Sequence, residues 1–246
     1  MLGATTERSM QPLDWETGKD EHVTEEGCSM IEGAIFDMDG LMFDTEPIWT
    51  RTWEPVLATI GIEYPEGLAD AVRGTSGKSM EAIINRYAPE ADATYVREKA
   101  YEMVHEELKK GAPKKPGLDE LLAYLAEQGI PMAVASSSSI DVINMNLENG
   151  GVGDYIGERF TGVGMANPKP APDIFLNTAA AMGVDPSHTL VFEDSLSGVR
   201  AGVAGGFITV MVPDMLAPDD FAREHAAAIC KDLFEVRDLL AAGKLG

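Results

Sequence analysis

Two textures of apolar residues alternate along this chain. In the first, short continuous apolar runs break off into polar residues: Ala34, Ile35 and Phe36, then residues 132–135, 189–192 and 207–212. Runs of this kind mark strands covered on both faces. Between them, apolar positions recur at helical spacing. Leu118, Leu121, Leu122 and Leu125 stand at i, i+3, i+4 and i+7, and Gly129 and Pro131 stop that helix just before the next strand. Helices at 172–183, closed by Gly183, and at 196–204 repeat the alternation. Strands separated by helices predict βαβ units and an α/β fold with an open parallel sheet.

Residues 47–112 break that rhythm. They hold no convincing strand, but they carry helical patterning around Trp49, Trp53, Val56 and Leu57, and again around Met80, Ile83, Ile84 and Tyr87. A long helical insertion between a first and a second strand predicts a separate helical unit. Pro113 and Pro116 suit the return, because proline restricts its own φ and the residue before it. The expected organisation is an α/β core over 30–46 and 113–246 with a helical cap over 47–112. Residues 1–29, with seven acidic and two basic residues and no periodicity, read as a disordered extension ahead of Met30.

Composition narrows the partners. The 246 residues carry a formal net charge of −22, with 45% hydrophobic and 24% charged residues, so a globular protein is expected rather than a disordered one. That charge repels a phosphate backbone or an anionic membrane, and no Lys or Arg cluster overrides it. Neither nucleic acid nor membrane is therefore an expected partner. No apolar run is long enough to span a bilayer, and the polar, acidic start offers no signal peptide. Cys28 and Cys230 form no C-x-x-C and the four histidines are scattered singly, which argues against disulfides and zinc and suits the cytoplasm. A monomer or weak homo-oligomer is expected.

Reactive groups of open α/β sheets collect beyond the carboxyl ends of the strands. Four clusters occupy such places: Asp37 and Asp39 before Gly40; Ser136 to Ser139; Lys169 between Pro168 and Pro170; and Glu193, Asp194 and Ser195. Each alone has a plainer explanation, as a turn, a helix cap or a solvated loop lysine. Jointly they suit phosphoryl transfer. One aspartate attacks phosphorus and splits a hard displacement into two easier ones; the second protonates the leaving oxygen and then activates water. Converging carboxylates require a cation, and oxygen-only ligands point to Mg²⁺. Lysine, serine hydroxyls and loop amides would hold the remaining phosphate oxygens.

These clusters carry a resemblance. The segment FDMDGLMFDTE at 36–46 resembles the first motif of the haloacid dehalogenase superfamily, in its beta-phosphoglucomutase-like phosphatase branch. VAS at 134–136, KPAPDIF at 169–175 and VFEDSLSG at 191–198 resemble the second, third and fourth, in family order. The resemblance implies a Rossmann-like core with an inserted helical cap, and a Mg²⁺-dependent phosphatase of small phosphorylated metabolites such as sugar phosphates. It makes Asp37 nucleophile and metal ligand, and Asp39 general acid/base with its backbone carbonyl on the metal. It assigns phosphate binding to Ser136, Ser137 and Lys169, and metal binding to Asp194, with Glu193 as ligand or support behind it. Asp44 and Thr45 fall at the hinge; Glu46, Trp49, Arg73 and Lys78 become candidates for touching substrate.

Asp39 separates phosphate chemistry from carbon–halogen cleavage, in which dehalogenating relatives need no such acid. A beta-phosphoglucomutase-type mutase is the alternative, but Gly77 stands where such mutases carry a phosphate-gripping arginine, and Trp49 replaces a histidine. Gly77, Lys78 and Ser79 imitate a P-loop, yet Val72 occupies the required glycine position and no strand precedes it. A non-enzymatic alternative is a sensor with a phosphorylatable aspartate. Such receivers lack a helical cap and are about half this length.

Overall fold

The computed structural model describes residues 31–73, 75 and 77–245; the expected extension over 1–29 lies outside the described residues. The core is one six-stranded sheet, parallel at every pairing: β1 (Gly33–Phe36), β2 (Met132–Ser136), β3 (Glu158–Thr161), β4 (Thr189–Glu193), β5 (Ile208–Met211) and β6 (Ala228–Ile229). The spatial order is β3-β2-β1-β4-β5-β6. It reverses at β1, and the crevice at such a switch point is where this architecture binds ligands.

The four predicted strands are all present; β3 and β6 are additions. Sequence periodicity misses them because β3 sits at the sheet edge with no buried residue and β6 is two residues long.

Alternate residues of the strands face opposite layers, as the period of two requires. Ala34, Phe36, Val134, Leu190 and Phe192 pack on one side against Leu121, Leu122 and Leu125 of α5 (Leu118–Glu127), Ile143 and Leu147 of α6 (Ile140–Asn149), and Val236 of α10 (Leu233–Ala241). Ile35, Ala135 and Val191 face Ile174, Phe175 and Ala179 of α7 (Asp173–Met182) and Ala201 of α8 (Leu196–Ala204). The register pairs Phe36 with Phe192, and their rings meet at 4.8 Å. Each such buried side chain contributes about 1.5–3 kcal/mol.

Four helices separate β1 from β2: α1 (Glu46–Ala58), α2 (Leu68–Val72), α3 (Gly77–Tyr87) and α4 (Ala93–Leu108). They bury an apolar cluster of their own, with Trp53, Leu57, Leu68, Ile84 and Val96 nearly or wholly inaccessible, as the helical insertion read from sequence requires. The outgoing and returning chains are joined. Asp44 N–H donates to Pro113 O at 2.8 Å, Lys115 N–H to Met42 O at 2.9 Å, and Phe43 bridges antiparallel to Lys114.

Phe192→Ala is expected to cost about 3–5 kcal/mol in urea unfolding, because a ring with no exposure leaves a cavity in the central layer. Leu176→Ala, at a side chain 38% exposed on the outer face of α7, should stay within about 0.5 kcal/mol of the parent. Equal effects would contradict the assigned layers.

Candidate active site

Strand register assembles the site. Asp37 leaves β1 beside Phe192 of β4, to whose carbonyl its N–H donates at 2.9 Å, so Asp37 stands level with Glu193, the next residue of β4. Ser136 closes β2 on the other flank. Lys169, on the segment leading into α7, fills the space between them. Its Nζ donates to Asp37 Oδ1 at 2.5 Å, Glu193 Oε1 at 2.7 Å and the carbonyl of Ala135 at 3.2 Å, and it lies 4.7 Å from the centre of the Phe175 ring. The Lys169 side chain is 6% exposed and that of Glu193 not at all.

Burial on this scale is tolerable only with paired charges. Burial opposes the Lys169 ammonium, but the carboxylates of Asp37 and Glu193 outweigh it and hold its pKa above the ordinary lysine value. Burial also raises the Asp37 carboxyl, against the pull of Lys169 and with help from Glu193 and Asp39. Asp194 is raised by burial, then by Glu193 and Asp37. Negative charge is thus in excess even with Lys169 in place.

Asp39 has different company. Its Oδ1 accepts from Thr45 Oγ1 at 3.0 Å, and its Oδ2 from Ser138 Oγ at 2.7 Å and Ser136 Oγ at 3.3 Å. The serine cluster is therefore turned toward an aspartate, and Ser139, the N-cap of α6, makes no side-chain capping bond. Ser136 Oγ also accepts from the amide of Ser138 at 3.0 Å. Ser137 is exposed; the hydroxyl that reaches Asp39 belongs to its neighbour Ser138, which sequence reasoning did not single out.

Glu193 has both oxygens engaged. Oε1 meets Lys169, while Oε2 accepts from the amide and hydroxyl of Ser195, each at 2.9 Å. Ser195 in turn caps α8 by accepting from Gly198 N–H at 3.0 Å. Gly198 lies so close that a Cβ there would stand 1.6 Å from Glu193 Oε1.

On the cap, Arg73 Nε donates to Glu46 Oε2 at 3.2 Å and another of its nitrogens approaches Asp70 Oδ1 at 2.9 Å. Arg73 is therefore a compensated cation. Burial raises the Glu46 carboxyl against that arginine, with Asp214 and Asp39 adding to the rise. Trp49 stacks on Trp53 at 6.2 Å and meets the edge of Tyr101 at 5.0 Å. Tyr101 on α4 feels Asp39, and no sequence signal marked it. Lys78 is exposed in the first turn of α3.

Asp214, just past β5, also joins the site and was missed, although the strand-end rule points to it. Among the described residues, no three metal-ligating side chains already surround one point. The chemistry of the donors nevertheless fits Mg²⁺. They are oxygens alone, carboxylates outnumber the ammonium ions, and one buried carboxylate oxygen, Asp214 Oδ2, has no hydrogen-bond partner among the described residues.

Comparison with known proteins gives a consistent result. A family profile described as haloacid dehalogenase-like hydrolase matches residues 34–212. A Drosophila melanogaster protein named "Probable pseudouridine-5'-phosphatase" is 34% identical over 192 residues, 75% of this chain and 82% of its own. The fructose-1-phosphate phosphatase YqaB of Escherichia coli (strain K12) is 32% identical over 181 residues, 73% of this chain and 95% of its own. The crystal structure of CbbY from Rhodobacter sphaeroides in complex with phosphate superposes with a TM-score of 0.73 at 25% identity, covering 84% of this chain and 96% of that one.

Gly198→Ala should lower stability by about 1–3 kcal/mol in urea unfolding, because the methyl group must displace the buried Glu193 and its partners. An unchanged unfolding free energy would contradict the close packing of α8 on Glu193.

Proposed function

The chain belongs to the haloacid dehalogenase-like hydrolases, as a phosphomonoester hydrolase of the beta-phosphoglucomutase- and CbbY-like phosphatase branch, and from that premise we propose a Mg²⁺-dependent sugar-phosphate phosphatase working through an aspartyl-phosphate on Asp37. The observation that carries this reading is the division of labour between the two aspartates. Asp37 lies against a buried ammonium, and Asp39 lies two residues on within a ring of hydroxyls.

A carboxylate oxygen of Asp37 attacks phosphorus as the ester P–O bond breaks. Lys169 neutralises the attacking group and stays charged throughout. Asp39, oriented by Thr45, Ser136 and Ser138, gives its proton to the leaving alkoxide. It then takes a proton from the water that attacks phosphorus, so that the Asp37–phosphorus bond breaks and inorganic phosphate departs. Mg²⁺ held by Asp37, Asp194 and the backbone carbonyl of Asp39 would supply the positive charge that draws a phosphoryl oxygen into the carboxylate cluster. Glu193, with both oxygens engaged, supports Lys169 from behind. Ser136 and the loop amides, that of Ser137 among them, hold the phosphoryl oxygens, and the cap residues Glu46, Trp49, Arg73 and Lys78 face the rest of the substrate. The activities for which relatives are named favour phosphorylated sugars: hexitol and fructose-1-phosphate phosphatases stand among them.

Hydrolysis is favoured over mutase chemistry by the state of Arg73. Its guanidinium already pairs with Glu46 and Asp70 and is poorly placed to grip a second phosphate. The sensor alternative is set aside by membership of a hydrolase family.

In a phosphate-release screen over sugar phosphates, Asp37→Asn should abolish turnover with the unfolding midpoint preserved, and Asp39→Asn should lower kcat by about 10²–10⁴-fold. Substantial turnover by Asp37→Asn would overturn the mechanism. EDTA should silence the enzyme and added Mg²⁺ restore it; turnover indifferent to EDTA would overturn the cation's role.

A further inference from the structure

Beyond β5 the chain passes Val212 and Pro213 and delivers Asp214 to the same end of the sheet as Asp37 and Glu193. Asp214 Oδ1 accepts from Lys115 Nζ at 2.7 Å, and the two side chains are only 10% and 19% exposed. Its other oxygen, Oδ2, is buried and has no hydrogen-bond partner among the described residues. A buried acceptor left unsatisfied costs about 1–3 kcal/mol, and more when charged, so its retention points to a partner that the polypeptide does not supply.

The direction of that oxygen is fixed by Gly40. A Cβ on Gly40, whose φ is 83°, would stand 2.4 Å from Asp194 Oδ2 and 3.3 Å from Asp214 Oδ2. The two carboxylates therefore converge over the bare Cα of Gly40. Asp214 adds no net charge to the crowded cluster, because Lys115 compensates it. It contributes an acceptor whose charge Lys115 offsets, so it adds only the last and smallest of the influences that raise Asp194, after burial, Glu193 and Asp37.

We propose that Asp214 is a further carboxylate of the metal site: its free oxygen accepts a hydrogen bond from a water that Mg²⁺ retains when Asp37 and Asp194 bind it. This rests on the Mg²⁺ reading given above. Mg²⁺ dehydrates reluctantly and keeps several waters, and the groups that orient such waters govern affinity. Lys115 engages Oδ1 alone and leaves Oδ2, packed over Gly40, open to the site, so removing the ammonium leaves that acceptor in place. Because the Lys115 amide also donates to Met42 O, the Asp214–Lys115 pair ties the cation's surroundings to the chain leading into the cap.

The test is calorimetric titration of the full chain with MgCl2 alone, without substrate, together with the Mg²⁺-induced rise in unfolding temperature of each variant over its own metal-free form. Asp214→Asn is informative because Lys115 requires an acceptor. The amide oxygen must face Lys115, which leaves an N–H donor aimed at the site. Asp214→Asn should weaken Mg²⁺ binding by about 10–100-fold and shrink the thermal shift, whereas Lys115→Met should not weaken it. Unchanged affinity in Asp214→Asn, or an equal loss in Lys115→Met, would overturn the proposal and reduce Asp214 to an ion-pair partner. Wild-type protein that takes up no Mg²⁺ would instead overturn the reading on which the proposal rests.

Discussion

A single buried ammonium, that of Lys169, makes this site physically tenable. Parallel register sets Asp37 and Glu193 side by side at the ends of β1 and β4, and the hydrophobic layers on both faces of the sheet keep water from screening them. Without a cation between them, two such carboxylates could not both stay ionised. Lys169 satisfies both, rests on the Phe175 ring and anchors to the Ala135 carbonyl. It links β1, β2, β4 and the start of α7 at one atom. Its one charge cannot balance Asp39 and Asp194 as well, and that deficit is the physical basis for expecting a divalent cation.

The same constraint reaches the cap. Asp39 receives the hydroxyl of Thr45, the last residue before α1, and Asp214 holds Lys115 on the returning chain. Both ends of the insertion are therefore tethered to side chains of the carboxylate cluster. Through Glu46 and Tyr101, whose carboxyl and hydroxyl both feel Asp39, the cap also faces the site. The carboxylates at the sheet end are thus hydrogen-bonded to both chain segments that join the helical insertion to the core.

Much of this was legible in the sequence, for identifiable reasons. The central strands are apolar on both faces, so 34–36, 132–135, 189–192 and 207–212 read as strands without ambiguity. β3, lined by Glu158, Arg159 and Thr161 at the sheet edge, has no such signal. Asp37, Asp39 and Glu193 were found because they sit at the ends of β1 and β4, and Lys169 because of its place between prolines just ahead of α7; the structure brings them together. Ser138 was passed over for Ser137 because which of two adjacent serines turns inward depends on the loop's path, which periodicity does not encode. Asp214 obeys the strand-end rule but lies beyond a proline, outside any motif. Tyr101 lies on a helix whose inward face depends on packing against Trp49, a tertiary fact.

The central claim is that the Asp37 carboxylate accepts the phosphoryl group. Rapid acid quench of a single turnover, followed by borohydride reduction and peptide mass spectrometry, tests it directly, because reduction converts an aspartyl-phosphate to homoserine. The account predicts homoserine at position 37 in quenched wild-type protein, appearing and decaying with phosphate release. Turnover with position 37 unmodified throughout, or a phosphoryl group trapped on another side chain, would contradict it.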